Sequence, residues 1–322
     1  MAAQPQASKL CPTDEIPMTD QISDISVAFC IFSFNRAQFL ENCVDSIRKC
    51  APYADILIFD DESTDPLTQS YLERIRETVT IVQPAIKGRI KHGGLYHNMQ
   101  SALEATQHYS LVCFLQDDTQ VIRPVALHEL AQLHSILEEN ASVGFIHPCF
   151  IRGIDLNRNP VSDDPGPTQN TYLRRATQQS AGIHYSDLLV TSPQKLLKKQ
   201  WRFLQSEPGN DRQAKALFGR MLYLYSPFAM WLPEVPAWRG KKKTLALKIA
   251  ERKKQCGYYP FIIWSAEQAD QFLRRSPKEI PVAESLLECT PITPRKPWTY
   301  NPLTGLRGLK LLNNLEVKLK RL

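Results

Sequence analysis

The chain has 322 residues, of which 43% are hydrophobic and 22% are charged, and its formal net charge is +6. This composition is ordinary for a soluble globular protein, and no apolar run reaches the roughly 18 residues that a membrane-spanning helix needs. The polar segment 1–24 lacks the apolar centre of a signal peptide, so we expect a disordered leader there.

Eight cysteines are scattered along the chain, and no two have the Cys-x-x-Cys spacing of a zinc or redox site. Several of them, such as Cys30 and Cys113, lie in apolar runs, which predicts buried free thiols. Free thiols are typical of a reducing compartment, so we expect the protein to be cytoplasmic.

Apolar runs and amphipathic stretches alternate through the first half of the chain. The apolar runs predict strands at 26–33, 55–59, 79–82, 110–115 and 143–147. The amphipathic stretches predict helices at 36–50, 65–77, 94–107 and 124–139. This alternation is typical of an α/β fold in which helices flank a mostly parallel sheet. Ligands of such sheets bind beyond the carboxyl ends of the strands.

The alternation fades after about residue 150. The polar segment 152–180 predicts a long loop that could act as a lid. Apolar structure resumes at 183–190, and a helix is expected at about 193–203. A helix at 211–218 and a strand at 221–225 are expected to follow.

Adjacent acidic residues follow two of the predicted strands. Asp117 and Asp118 would repel each other unless a cation compensates their charge, and their oxygens suit Mg²⁺ or Mn²⁺. Such a cation would neutralise a departing nucleotide diphosphate, although the pair could instead cap the next helix. Asp60 and Asp61 could accept hydrogen bonds from a base or ribose, or form a capping turn.

A basic loop follows the strand expected at 79–82. Lys87, Arg89 and Lys91 precede two glycines, so their side chains could pair with phosphates that approach the backbone closely. The alternative is that these side chains are simply solvated.

Four motifs occur in one order: SFNR and FDDES after the first two strands, GGLYHN at a helix start, and LQDDT after the strand at 110–115. With them, the segment 25–148 resembles the family 2 glycosyltransferases of GT-A fold, and a weaker similarity extends to about residue 235. The resemblance implies a GT-A fold and a role in cell-envelope polysaccharide biosynthesis.

In that family, these motifs bind a nucleotide-diphospho-sugar and a divalent cation. The resemblance, together with the basic loop, implies donor contacts by Ser33, Asn35, Arg36, Asp60, Asp61, Lys87, Arg89, Gly93, Gly94, Asn98 and Asp117. It implies that Asp118, together with Asp117, holds Mn²⁺ or Mg²⁺. Gln116 departs from the family, which often has a further aspartate there.

Inverting sugar transfer needs a general base that takes the proton of the acceptor hydroxyl. The family places an acidic residue before a helix in its second half, and Asp211 stands at that place, with Glu207 as the second candidate. Asp211 could instead cap the helix. His184 could be a further metal ligand, although a lone histidine beside an apolar run is usually structural.

The expected function is therefore inverting, non-processive transfer of one sugar from a nucleotide-diphospho-sugar to a glycan or lipid-linked acceptor. A UDP donor is expected, because it is the commonest in the family. Two alternatives stay open: a non-catalytic nucleotide-sugar-binding module and a sugar nucleotidyltransferase. The chain has no Gly-x-Gly-x-x-Gly or P-loop motif, which argues against a nicotinamide dehydrogenase and a P-loop NTPase.

These expectations divide the chain into a leader, 1–24, a catalytic domain, 25–235, and a basic, proline-rich extension, 236–322. Within the catalytic domain, the nucleotide-sugar half ends at about residue 148 and the acceptor half follows. The tail 303–322 places leucines on one helical face between basic residues, which predicts peripheral contact with the inner face of a membrane. The alternative is that these leucines dock on the catalytic domain. No nucleic acid partner is expected.

Overall fold

The structure is a computed structural model, and it describes residues 25–82, 94–158, 161–175, 182–237, 243–276 and 279–319. The expected leader and the residues Lys87, Arg89, Lys91 and Gly93 of the expected donor site lie outside the described residues.

Strands and helices alternate in the order expected for the first half of the chain. The strands are β1 (Val27–Ser33), β2 (Asp55–Asp60), β3 (Thr80–Val82), β4 (Leu111–Gln116), β5 (Thr119–Val121), β6 (Ile146–His147), β7 (Val161–Pro165), β8 (Thr171–Arg174), β9 (Leu189–Thr191), β10 (Leu222–Leu224) and β11 (Ala229–Trp231). The helices are α1 (Ala37–Cys50), α2 (Pro66–Ile75), α3 (Leu95–Ala105), α4 (Leu127–Glu139), α5 (Gly153–Arg158), α6 (Pro193–Lys198), α7 (Glu207–Leu217), α8 (Leu245–Lys253), α9 (Ala266–Leu273), α10 (Ala283–Leu286) and α11 (Arg307–Leu319).

One nine-stranded sheet organises the molecule, in the order β3-β2-β1-β4-β9-β6-β10-β8-β7. Strands β1 to β4 pair in parallel, whereas β9 runs antiparallel to both of its neighbours. Strands β5 and β11 form a separate two-stranded sheet. The expected α/β fold, with helices flanking the sheet, is confirmed.

Strand β1 is buried along its whole length because helices cover both faces of the sheet. Phe29 and Ile31 pack in the same apolar cluster as the buried face of α1. Their neighbours Cys30 and Phe32 point the other way and pack in the cluster that contains α3 residues such as Met99. The two clusters hold the carboxyl ends of β1, β2 and β4 at one edge of the sheet.

The prediction of a long loop over 152–180 was wrong. Helix α5 and strands β7 and β8 occupy much of this polar segment. Strand β8 pairs antiparallel with β10, and Tyr172 is buried opposite Tyr223. Since the pairing partner lies about fifty residues further along the chain, the local pattern of polar residues gave no sign of it.

Helix α7 begins four residues earlier than the sequence suggested, at Glu207 rather than Asp211. The hydroxyl of Ser206 accepts a hydrogen bond from the N–H of Gly209 and caps the helix. Pro208, in the first turn, favours the start of a helix as well. Glu207 therefore lies on a fixed helix start.

Residues beyond 236 share the main core. Phe261, Phe272 and Trp298 pack in the cluster that contains β1. The N–H of Thr299 donates to Glu234 Oε1 at 2.8 Å and ties this segment to the end of the expected catalytic domain. Among the described residues, no helix has the length and apolar character needed to cross a bilayer.

Candidate functional site

The carboxyl ends of three parallel strands bring the expected polar residues to one edge of the sheet. Ser33 pairs in register with Asp60 on β2, and Phe32 pairs with Gln116 on β4. Asp117 therefore follows directly beside the end of β1, and its N–H donates to the carbonyl of Phe32 at 3.0 Å. The sheet thus brings together two of the predicted acidic motifs.

Arg36 joins the two aspartates that follow β4. Its Nη1 donates to Asp117 Oδ1 at 3.1 Å and to Asp118 Oδ2 at 2.6 Å. The N–H of Phe34 donates to Asp117 Oδ2 at 3.1 Å, so both oxygens of Asp117 have protein partners. Burial raises the pKa of Asp117 to about 7, and the charge of Arg36 opposes that rise. Arg36 thus orients the acidic pair and neutralises part of its charge.

Asn35 braces the loop that follows β2. Its backbone lies in the left-handed region, with φ at 53°, a conformation that asparagine tolerates better than most residues. Its Oδ1 accepts from the N–H groups of Thr64 and Asp65 at 2.6 and 2.7 Å. Its own N–H donates to Ser63 Oγ at 2.8 Å. Asn35 therefore holds the loop after β2 in place through its side chain and its backbone.

Asp60 and Asp61 have different surroundings. Asp60 is buried, and both of its carboxylate oxygens accept from Ser63, at 2.7 Å from the N–H and 2.6 Å from the hydroxyl. Asp61 Oδ2 accepts from the N–H of Gly94 at 2.8 Å. A Cβ atom at Gly94 would stand only 1.8 Å from Asp61 Oδ1. Asn98 is buried further along α3.

Asp118 lines a cavity of about 350 Å³, a volume within the range of roughly 300–1,000 Å³ typical of small-molecule sites. Its charged lining comprises Asp118, Arg152, Asp155, Arg174, Asp187 and Glu207. Its aromatic lining comprises Phe150, Tyr223, Trp231 and Tyr300, and His147 also lies in the wall. Carboxylates that accept from hydroxyls beside aromatic faces suit a sugar ring.

Besides Asp118 and the Arg152-bound Asp155, the carboxylates of the cavity lining are those of Glu207 and Asp187. Glu207 is the first residue of α7, and Asp187 lies just before β9. Tyr96 Oη donates to Asp187 Oδ2 at 3.3 Å. Burial raises the pKa of Asp187 to about 7, and the charge of Glu207 adds to that rise. The loss of surrounding water also raises the pKa of Glu207, while Arg152 opposes the rise.

Asp211, the first choice for the general base, is not part of the cavity lining. Its Oδ1 accepts from the N–H groups of His184 and Tyr185, at 3.0 and 3.2 Å. The ring Nδ1 of His184 lies 2.9 Å from the carbonyl oxygen of Gly219. Both side chains therefore hold the loop before β9 in place, whereas Glu207 lines the cavity.

Arg152 is held between two aromatic rings in the cavity wall. Its guanidinium lies 5.4 Å from the ring centre of Trp231 and 5.3 Å from that of Tyr300, which are cation–π distances. Its Nε also donates to Asp155 Oδ2 at 2.6 Å. These contacts fix a positive charge in the wall, and Tyr300 brings the C-terminal segment into the site.

His147 is a neutral member of the same wall. It stacks on Tyr223 with 5.0 Å between ring centres, and burial lowers the pKa of His147 to about 3. Its Nδ1 lies 3.2 Å from the N–H of Cys149, so Nδ1 accepts and the ring proton belongs on Nε2.

Four residues of the cavity wall were not predicted from the sequence: Arg152, Asp187, His147 and Arg174. Strand-end reasoning finds residues after parallel strands, but β9 is antiparallel, so Asp187 reaches the same edge by preceding its strand. A Ser-Asp pair directly before an apolar run was the available signal. Arg152 and Arg174 lay in the segment interpreted as a loop, where no local signal marked them.

Asp118 fits a divalent cation. Its Oδ1 is buried and accepts no hydrogen bond from the described residues. No group of three or more His, Cys, Asp or Glu side chains able to hold a metal occurs in the part of the chain that the structure describes. Mg²⁺ is commonly held through one or two carboxylates, with phosphates and water as its other ligands. Asp118 would supply the protein ligand in such a site.

Comparisons with known proteins agree with this architecture. The model of the family described as "Glycosyl transferase family 2" matches residues 28–189, half of the chain. No curated protein matches the sequence.

One similar solved structure is the mannosyltransferase PcManGT from Pyrobaculum calidifontis in complex with GDP-Man and Mn²⁺. The two chains share 15% identity with a TM-score of 0.42, over 72% of this chain and 62% of that one. This chain thus matches less than two thirds of that protein's length. From the family match and the strand-end motifs, we conclude that the chain belongs to glycosyl transferase family 2.

Proposed function

We propose that this glycosyltransferase inverts the transferred sugar, is non-processive, and moves one sugar from a nucleotide-diphospho-sugar to a hydroxyl of a glycan or lipid-linked acceptor. The observation that carries the proposal is the position of Glu207, whose carboxylate lines the same cavity as Asp118. A base and a diphosphate-binding residue in one cavity are what a single displacement requires.

The donor would lie along the edge formed by β1, β2 and β4. Asp61 and the neighbouring Ser33 and Asp60 stand where the nucleoside would bind, and Asp118 stands where the diphosphate would end. Asp118 would hold Mn²⁺ or Mg²⁺, which would neutralise negative charge on the leaving diphosphate when bound. Arg36 adds a fixed positive charge at the same place.

The acceptor would enter the cavity between Glu207 and the aromatic wall. Glu207 would take the proton of the acceptor hydroxyl as its oxygen forms a bond to the anomeric carbon. The bond from that carbon to the diphosphate oxygen breaks on the opposite side, so the configuration inverts. Because the pKa of Glu207 is raised, its ionised form is a stronger base than an ordinary carboxylate.

The aromatic rings of Trp231, Tyr223 and Tyr300 support a sugar-containing acceptor, since one face of a sugar ring is apolar and packs on such rings. A UDP donor, a setting in cell-envelope polysaccharide synthesis and contact with the inner membrane face are parts of the same proposal. They follow from the family resemblance and from the amphipathic tail.

The test is a panel of UDP-, GDP- and dTDP-sugars, each incubated with simple glycan and lipid-linked acceptors, with Mn²⁺, with Mg²⁺ and with EDTA. We expect release of nucleoside diphosphate that depends on the acceptor, with an inverted anomeric product by NMR. A retained anomer would overturn the inverting mechanism. Nucleotide-sugar binding without turnover on any acceptor would favour a non-catalytic module, and release of pyrophosphate from a nucleoside triphosphate would favour a nucleotidyltransferase.

A further inference from the structure

Helix α11 is attached to the protein by polar side chains. Both carboxylate oxygens of Glu316 accept from the first N–H groups of α8, at 2.7 Å from Leu245 and 2.9 Å from Ala246. Asn313 Oδ1 accepts from the hydroxyl of Thr244 at 2.6 Å. A carboxylate at a helix N-terminus satisfies unpaired N–H groups and the helix dipole. These contacts fix which face of α11 points inward.

The opposite face of α11 is a row of exposed leucines. Leu311, Leu315 and Leu319 are 67%, 57% and 68% exposed, and Leu312 beside them is exposed as well. Their spacing of four residues places Leu311, Leu315 and Leu319 on one side of the helix, away from Asn313, and Glu316 lies at the border of that side. These four leucines therefore do not dock on the catalytic domain, whereas Leu306 and Leu309 of the same tail are half-buried.

Single exposed leucines are ordinary on a protein surface, whereas a contiguous apolar row usually marks a contact site. Helix α8, which α11 contacts, exposes Leu245 and Ile249 one turn apart. No residue in the described part of the chain covers the α11 row. The two helices therefore present an apolar surface outside the catalytic cavity.

The exposed charges on both helices have one sign. The acidic residues are only partly exposed and are engaged by the protein: Glu316 caps α8, and Glu251 accepts from Lys243 at 2.8 Å. The exposed charged side chains are all basic: Lys248, Arg252 and Lys253 on α8, and Arg307, Lys310 and Lys318 on α11. A second copy using this face would bring like charges together. An anionic lipid surface satisfies both the leucines and the basic side chains.

We propose that the apolar row of α11, together with the exposed residues of α8, docks on the surface of a membrane that contains anionic lipids. The leucines would enter the boundary between head groups and acyl chains, and the basic side chains would contact the lipid phosphates. The surface is separate from the cavity, so the proposal does not depend on which reaction the cavity performs.

The test is co-sedimentation of the full chain with vesicles of phosphatidylcholine alone and with vesicles that also contain phosphatidylglycerol. We expect binding to the anionic vesicles that weakens as salt is raised. The double variant Leu311→Gln/Leu315→Gln should bind at least about tenfold more weakly. Leu67→Gln is the matched control, because Leu67 is 72% exposed on α2, and it should bind as the wild type does.

Thermal unfolding of the double variant and of the control should match the wild type, since the changed side chains face solvent. The proposal is overturned if the wild type fails to bind anionic vesicles, or if the double variant binds as well as the wild type. It is also overturned if sedimentation velocity without lipid shows a dimer that the double variant loses, because the row would then be an interface between copies.

Discussion

Arg36 neutralises part of the negative charge of Asp117 and Asp118. It contacts one oxygen of Asp117 and one of Asp118, while the N–H of Phe34 holds the other oxygen of Asp117. Of the two aspartates, only Asp118 has a carboxylate oxygen that accepts no hydrogen bond from the described residues. The pair is therefore asymmetric, with Asp117 as the positioning residue and Asp118 as the residue available to a cation.

Asp118→Asn keeps the size of the side chain and an oxygen for Arg36, but it removes a negative charge and a strong cation ligand. We expect the enhancement of nucleoside diphosphate binding by Mn²⁺ to fall at least about tenfold, measured by calorimetry with and without the metal. Asp270→Asn, which changes an exposed carboxylate on α9, should leave the enhancement unchanged. An unchanged metal effect in the Asp118 variant would refute the assignment.

Two acidic residues of α7, Glu207 and Asp211, are the candidates for the general base, and kinetics of their variants distinguish them. Glu207→Gln should lower kcat by roughly 100-fold while donor affinity stays near the wild-type value, because general-base catalysis contributes about that much. Asp211→Asn should retain most of the turnover, since the amide oxygen can still accept from the N–H groups of His184 and Tyr185. The reverse pattern in steady-state kinetics would identify Asp211 as the base.

Among the elements, the loop after β2 contacts the start of α3 through Asp61 and Gly94, at the sheet edge where the donor would bind. Gly94→Ala would place a Cβ atom 1.8 Å from Asp61 Oδ1 and expel that carboxylate. We expect a loss of about 1–3 kcal/mol in the free energy of unfolding, measured by chemical denaturation, together with weaker nucleotide binding.

The Gly94 prediction has two controls. Gly308→Ala changes a helical glycine with no atom near the added Cβ, so stability should be unchanged or higher. Adding Asp61→Ala to Gly94→Ala removes the colliding atoms, so this double variant should be more stable than Gly94→Ala alone. If the second change gives no recovery, the collision is not the cause of the loss.

The length, burial and pairing of the strands explain which parts of the fold could be predicted from the sequence. Strands β1, β2 and β4 are parallel and buried on both faces, so each appears as a continuous apolar run that ends in polar residues. Strand β6 has two residues and β9 has three, so the apolar runs at 143–147 and 183–190 indicated structure there but not how these strands pair. Their partners are distant along the chain, so apart from the Ser-Asp pair before β9 no local signal assigned Asp187 or His147 to the cavity.

At the scale of the whole molecule, the cavity lies where distant parts of the chain meet. Asp118 comes from the parallel half of the sheet, Glu207 and Asp187 come from the middle of the chain, and Tyr300 comes from the C-terminal segment. The walls displace water from Asp187, and this loss of hydration raises its pKa to about 7. Burying Asp187 in this cavity therefore lowers the free energy of unfolding by an amount that depends on pH.

The sign of that cost follows from proton linkage. The folded protein holds the Asp187 proton more tightly than the unfolded chain does. The contribution of this group to the free energy of unfolding is therefore complete below about pH 4 and is lost as pH rises through about 7. A change from the ordinary value of 3.8 to about 7 corresponds to a loss of up to about 4 kcal/mol. Asp187→Asn removes the ionisable group, and therefore the variant should gain stability relative to the wild type as pH rises from 4 to 8.

The measurement is the free energy of unfolding at several pH values for the wild type and two variants. Asp164→Asn is the control, because Arg220 lowers the pKa of the exposed Asp164 carboxylate, so the proton linkage of this group falls below about pH 4. Relative to the wild type, that variant should therefore show a nearly constant difference in the free energy of unfolding from pH 4 to 8. A constant difference between Asp187→Asn and the wild type across this range would mean that Asp187 ionises normally, which would require water to reach its carboxylate in the cavity.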